Sequence, residues 1–150
     1  MKNNKGITLI ILLCTVVVLL IITGLVLYNG METYKKSKVV KFEAYMKVIQ
    51  KKVDLMIEEN YDIATLGSEL TQSQRNTLQE IIDKDTSNYI QTDDVTNNKI
   101  RYFSSSDIND IFDIPDVNDD IAVNFSNREV ISLNGVEKDG VMHYVEYGLH

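Results

Sequence analysis

An uncharged apolar run near the amino terminus constrains this chain most. Residues 7–27 form 21 positions without one charged side chain, and a short polar segment carrying Lys2 and Lys5 precedes them. As an α-helix the run is about 31 Å long, which matches a bilayer core of about 30 Å. A helix is required there, because lipid offers no partner to an unpaired backbone N–H or C=O group. The sequence therefore predicts one membrane-spanning helix over residues 7–27.

An ordinary secretory signal peptide fits this run less well. Such a signal has an apolar region of about 7–15 residues and a cleavage site marked by small residues. Here the run is longer, and it ends in Leu27-Tyr28-Asn29-Gly30 without an Ala-x-Ala pattern. A plain single-pass anchor stays open as an alternative.

The step from polar leader to apolar run reads Lys5-Gly6-Ile7-Thr8-Leu9. This junction resembles the processing signal of type IV pilins and of type II secretion pseudopilins. The resemblance implies a leader of residues 1–6, and a prepilin peptidase that cuts between Gly6 and Ile7 and methylates the amine of Ile7. It also implies a cytoplasmic leader, a head outside the inner or cytoplasmic membrane, and later a place in an extracellular filament with other pilin or pseudopilin subunits.

Two positions depart from the family pattern. Ile11 stands at the fifth mature position, where the family usually has glutamate, and Tyr28 stands where a helix-bending proline is common. The family's glutamate is thought to neutralise the N-terminal amine of an adjacent subunit, and an uncompensated charge in hydrocarbon costs a few kcal/mol. Ile11 cannot accept that amine, so the resemblance implies a low-copy tip or initiating subunit. Drift at this position without consequence is the alternative.

The helical pattern continues beyond the apolar run. Apolar residues recur at steps of three and four, and they are Val39, Phe42, Met46, Ile49, Val53 and Met56. Such a narrow seam is typical of an amphipathic helix. We expect residues 28–59 to form this half of one long helix, which breaks near Asn60. The seam covers less than three heptads, which is short for a coiled coil. We therefore expect it to pack against the chain's own head.

Residues 60–150 are predicted to form one small head of the α+β class, with a C-terminal antiparallel sheet. Thr71 and Gln74 fit a capping box for a short helix that ends near Asp83. Asp107 is expected to cap a short turn of helix through Ile108, Ile111 and Phe112, which Pro115 closes. The predicted strands are 99–103, 121–125, 128–133 and 141–147, with a hairpin between the second and third and a connection over 134–140.

Charge is distributed unevenly along the chain. Residues 31–52 carry a net charge of +5, whereas residues 53–150 carry −14. Basic residues just past the membrane segment are attracted to anionic lipid headgroups by about 1 kcal/mol each. The acidic head repels phosphate backbones, so we expect no direct nucleic-acid binding.

Catalytic chemistry is hard to find in this sequence. His143 and His150 are the only histidines, Cys14 is the only cysteine, and no nucleophile–base string, phosphate loop or zinc spacing occurs. We therefore predict that the chain is not an enzyme and needs no cofactor or metal. Acidic residues over 110–120 have the oxygen ligands that calcium prefers, but solvated loop acids are commoner. The alternative function is a single-pass anchored extracellular binding module without a filament role.

Overall fold

The architecture is α+β, with a long N-terminal helix and a small antiparallel sheet, in agreement with the predicted class. A computed structural model describes residues 5–85 and 88–147, with side chains from residue 12 onward except 25 and 28. Residues 1–4 of the predicted leader and the C-terminal His150 lie outside the described residues. Contacts divide the chain into two compact units, Met1–Ser37 and Lys38–His150.

Helix α1 (Lys5–Glu58) is continuous, and the amides of the residues that follow it bond to carbonyls of its last turn. The amide of Tyr61 donates to the carbonyl of Met56 at 3.0 Å, and the amide of Asn60 donates to the carbonyl of Ile57 at 3.2 Å. Asn60 has a φ of 54°, in the left-handed region that asparagine tolerates. These bonds satisfy carbonyls at the helix end and confirm the break predicted near Asn60.

The remaining elements belong to the second unit. In chain order they are a 3-10 helix (Ile63–Thr65), β1 (Ser68–Glu69), α2 (Gln72–Lys84), β2 (Ile100–Phe103), α3 (Ser105–Phe112), β3 (Ile121–Asn124), β4 (Glu129–Ser132), β5 (Val136–Lys138) and β6 (Val141–His143). Strands β1 to β4 form an antiparallel sheet in that spatial order, and β5 pairs with β6 as a hairpin. The amide of Ser132 donates to the carbonyl of Tyr144 at 2.7 Å, which ties the segment after β6 to the edge of β4.

The four-stranded sheet is buried on both faces. One face packs with the seam of α1 and with α3, in a cluster that includes Phe42, Met46, Ile49, Val53, Phe103, Phe112, Ile121 and Val123. The opposite face packs with α2, in a cluster that includes Leu78, Ile81, Ile100, Ala122 and Ile131. Full burial of one such side chain contributes about 1.5–3 kcal/mol. The first cluster confirms that the seam packs on the chain's own head.

A buried carboxylate fixes the irregular segment that precedes β2. Glu129 accepts hydrogen bonds from the amides of Gln91 and Thr92 at 2.7 and 2.8 Å, and from the Thr92 hydroxyl at 2.5 Å. The side-chain amide of Asn124 donates to the same hydroxyl at 3.0 Å. Charged acceptors make stronger hydrogen bonds than neutral ones, so this segment is held on the sheet without a strand of its own.

Helices α2 and α3 both begin with a capping box, and one of the two predicted N-caps is correct. Thr71 caps α2 in the predicted box with Gln74, which confirms that prediction. For α3 the predicted cap is wrong, because Ser104 is the N-cap and Asp107 is the third helical residue that closes the box. At a helix start, a serine hydroxyl and an acid three residues later both accept hydrogen bonds from backbone amides. The prediction therefore placed Asp107 in the role of N-cap that Ser104 has.

The strand predictions were closest in the middle of the head. The hairpin around residues 121–133 is confirmed. Each strand is one residue shorter than predicted at the turn, and β4 also ends one residue early, at Ser132. The predicted connection over 134–140 is wrong, because Val136–Lys138 forms β5 and pairs with β6. The predicted strand over 141–147 is correspondingly too long, since β6 ends at His143. Asp139 and Gly140 both have positive φ, which is the geometry of a two-residue hairpin turn.

Candidate interaction surfaces

The first part of α1 is an apolar cylinder. Every described side chain from residue 12 to residue 27 is exposed, and Leu19 and Leu20 are exposed by 61% and 67%. The helix is long and apolar enough to cross a membrane. A helix that is apolar all round is typical of a membrane span or of the core of a large protein.

Polar groups within this cylinder are satisfied by its own backbone. The hydroxyl of Thr15 donates to the carbonyl of Leu12 at 2.8 Å, and that of Thr23 donates to the carbonyl of Leu19 at 2.7 Å. Cys14 is a free thiol. An unsatisfied polar group in hydrocarbon costs several kcal/mol, so these bonds make both threonines compatible with lipid.

The residues of the predicted processing site lie at the start of α1. Gly6, Ile7 and Ile11 belong to the helical backbone, but their side chains are not among those described. Cleavage after Gly6, methylation at Ile7 and the role of Ile11 therefore stay predictions.

A second apolar surface lies on α1 within the unit that begins at Lys38. Four exposed residues repeat at steps of four, four and seven on the side away from the buried seam, and we call them the outer stripe: Val40, Ala44, Val48 and Leu55. Val40 and Leu55 are exposed by 64% and 54%. The exposed Lys41 and Lys51 flank the stripe, which therefore combines aliphatic surface with positive charge.

The C-terminal end of α1 forms one wall of an open groove of about 250 Å³. Its apolar lining, which we call the helix-end groove, consists of Met56, Ile57, Tyr61, Ile63, Leu66 and Phe125. Its volume is about eight times the ~30 Å³ of one liquid water, enough for a large side chain. Asn60 also lines the groove, so the groove is mainly apolar with one amide side chain.

A buried polar cluster lies between α1 and β4. The carboxylate of Asp119 is 5% exposed and accepts hydrogen bonds from the hydroxyls of Tyr45 at 2.6 Å and Ser132 at 2.7 Å. The amide of Asn134 donates to its other oxygen at 3.4 Å. Burial raises the pKa of Asp119, although these donors oppose the change. Burial and the nearby carboxylate also raise the pKa of Tyr45.

This cluster corrects the treatment of residues 110–120 as solvated loop acids, since Asp119 is a structural residue of the core. No sequence signal near Asp119 indicates this, because Tyr45 lies 74 positions away. Over residues 5–85 and 88–147, no group of three or more His, Cys, Asp or Glu side chains is placed to hold a metal ion. His143 is half-buried in β6.

Comparisons with protein-family models, with curated proteins and with solved structures found no match to this chain. The features of this chain that bear on its function are the Lys5-Gly6-Ile7 junction, the apolar cylinder, the outer stripe and the helix-end groove.

Proposed function

We propose that this chain is a minor pilin or pseudopilin, a structural subunit of a membrane-anchored type IV pilus or type II secretion-like filament. One observation carries the proposal. The junction Lys5-Gly6-Ile7 opens a continuous helix, Lys5–Glu58, that is apolar all round at first and then packs one side on a small sheet. This arrangement suits a subunit that is stored in a membrane and then joins other subunits through its helix.

In this proposal the leader is cytoplasmic and the head is extracytoplasmic. A prepilin peptidase cuts between Gly6 and Ile7 and methylates the new amine. The apolar cylinder holds the subunit in the membrane until it enters the filament, where the helices of other subunits replace lipid. The chain acts by assembly, and the proposal assigns it no catalysis, cofactor or direct nucleic-acid contact.

Ile11 supports a low-copy position at the tip or at the start of the filament. A subunit without a neighbour ahead of it has no amine to neutralise, so an aliphatic residue at this position carries no penalty there. An uncompensated amine elsewhere in an apolar core costs a few kcal/mol. An Ile11→Glu variant is expected to enter the filament shaft in more copies than the unmodified chain. Equal copy number in purified filaments would contradict the pairing argument.

The direct test is mass spectrometry of the N-terminus from a host with a prepilin peptidase. We expect a mature chain that starts at methylated Ile7. A Gly6→Leu variant is expected to keep the leader, and Gly30→Leu is the matched control, because a side chain at Gly30 meets nothing within 4 Å. An intact leader on the unmodified chain, or a terminus near residue 30, would refute the proposal.

The second candidate is a single-pass anchored extracellular binding module. The observation in its favour is the helix-end groove, which offers a mainly apolar site on the head. An unprocessed chain that stays in the membrane and never co-purifies with filament subunits would favour this function.

A further inference from the structure

The stretch of α1 that follows the apolar cylinder is basic. Residues 28–41 contain four lysines and one acidic residue, Glu32, so their net charge is +3. All four lysines are exposed, and we call them the basic collar: Lys35, Lys36, Lys38 and Lys41. The ammonium of Lys36 pairs with Glu32 at 2.7 Å, yet 75% of its side chain is exposed. Exposed pairs of this kind are weak, so the pair leaves Lys36 able to contact a second acceptor.

The basic collar extends around the helix instead of following one side of it. At about 100° per residue, the four positions spread over about 220° of the circumference. A helix that packs on one protein surface presents a stripe only about 100° wide. The wider spread suits a medium that surrounds the helix, and the span itself provides one, because lipid headgroups surround a helix where it leaves the membrane.

Two members of the collar lie at the depth of those headgroups. Lys35 and Lys36 follow residue 27 by about 12–14 Å along the helix. The headgroup layer extends about 5–7 Å beyond the hydrocarbon core, and its surface potential falls off within a Debye length, about 8 Å. Lysine side chains on a helix also lean toward its N-terminus, which here means toward the membrane. Tyr34 precedes them and is 62% exposed, and tyrosine is enriched at this depth.

We propose that the basic collar binds anionic phospholipid headgroups at the C-terminal end of the span, chiefly through Lys35 and Lys36. The feature recognised is the net negative charge of a lipid such as phosphatidylglycerol, because neutral lipids also carry a phosphate. The contact holds the span at a fixed depth and favours anionic regions of the membrane. It goes beyond the filament function, since it requires only the membrane span and would serve an anchored binding module equally well.

Lipid titration of the full chain in dodecyl maltoside micelles tests this contact. Phosphatidylglycerol or phosphatidylcholine is added, and native mass spectrometry measures the lipid that the chain retains. We expect tighter binding of phosphatidylglycerol, with a preference that weakens as salt is added. Lys35→Gln with Lys36→Gln is expected to bind phosphatidylglycerol about tenfold more weakly, since each basic residue near an anionic surface contributes up to about fivefold. Its affinity for phosphatidylcholine should not change.

The matched control is Lys84→Gln with Lys99→Gln. It removes the same two charges from exposed positions of the head, and Lys84 forms an i,i+4 pair with Glu80 as Lys36 does with Glu32. We expect this variant to bind both lipids as the unmodified chain does. Circular dichroism melting should be equal for the two variants, because all four side chains are exposed.

The possible outcomes separate this contact from the filament function. Equal retention of both lipids by the unmodified chain, or equal loss in the two variants, would overturn the lipid contact. A chain without Lys35 and Lys36 that keeps its lipid preference but no longer joins filament subunits would also overturn it and would make the collar a protein contact. A chain that prefers phosphatidylglycerol but is never cut after Gly6 would instead refute the proposed function and leave the lipid contact in place.

Discussion

Helix α1 contains two apolar segments that differ in exposure: the side chains of the first are exposed, and those along one side of the second are buried. Leu19 is 61% exposed in the first, whereas Ile49 and Val53 are 0% exposed in the second. The first segment is apolar on all sides, so no single protein surface can cover it. The second is apolar on one side, and one sheet face is enough. The comparison teaches that the distribution of apolar residues around a helix, rather than their number, decides what must surround it.

The largest expected effect comes from charging the buried side of the second segment. Ile49→Asp places an unpaired carboxylate in the core and is expected to cost several kcal/mol in the free energy of unfolding. The neighbouring Val48→Asp is the control, because Val48 is 42% exposed and surface changes stay within about 0.5 kcal/mol. Thermal melting of the full chain by circular dichroism measures both. Equal melting temperatures would mean that the seam does not pack on the sheet.

Charging the first segment is expected to affect membrane insertion instead. Lysine at the centre of a membrane helix costs about 3 kcal/mol for insertion, so Leu19→Lys should lower the fraction of chain recovered in washed membranes. Leu55→Lys is the matched control, since Leu55 is similarly exposed at 54%. If both variants were retained equally, the apolar cylinder would not be the membrane anchor.

The cluster around Asp119 predicts a smaller effect. Tyr45→Phe removes a donor from a buried carboxylate and is expected to cost about 1–3 kcal/mol. Tyr61→Phe is the control, because Tyr61 is 51% exposed. Urea unfolding measures the difference. A neutral Tyr45→Phe would show that its hydrogen bond does not connect α1 to the sheet.

The same cluster has a predictable dependence on pH. Burial raises the pKa of Asp119 in the folded state. The folded chain therefore binds a proton at this carboxylate more tightly than the unfolded chain, in which the aspartate pKa is about 3.9. Stability from this group is therefore greatest at low pH, and it falls as pH rises from about 3.9 through the folded pKa. Relative to Asp119→Asn, the native chain should lose stability across that window and then level off. A relative gain with rising pH would contradict the sign.

The smallest effect concerns the cap of α2. Thr71→Ala removes the hydroxyl that accepts from the amide of Gln74 at 3.3 Å, and loss of such a cap costs about 1 kcal/mol. Thr77→Ala, inside the same helix, is expected to be neutral or slightly stabilising, because alanine is the better helix former. If the two variants lost equal stability, the capping box would contribute nothing.

Local signals made much of this fold predictable. The seam from Val39 to Met56 repeats with the helical period, and the box at Thr71 and Gln74 lies within four residues. The sequence does not predict the strand Val136–Lys138, because it is short and two of its three residues are charged. Its hydrogen bonding to β6 outweighs the low intrinsic strand propensity of its residues. Burial of Asp119 depends on a tyrosine on another element, and no local pattern carries that information. The helix-end groove likewise exists only where the end of α1 meets the 3-10 helix and the turn after β3.

The hydrogen bonds to the Glu129 carboxylate should slow the exchange of two backbone amide hydrogens with solvent. It holds the amides of Gln91 and Thr92 in a segment without regular secondary structure. An amide exchanges its hydrogen only when its bond opens, and opening here leaves a buried charge without its donors. In deuterium exchange these two amides should therefore be as slow as those of the central strands, and this part of the loop should unfold together with the sheet.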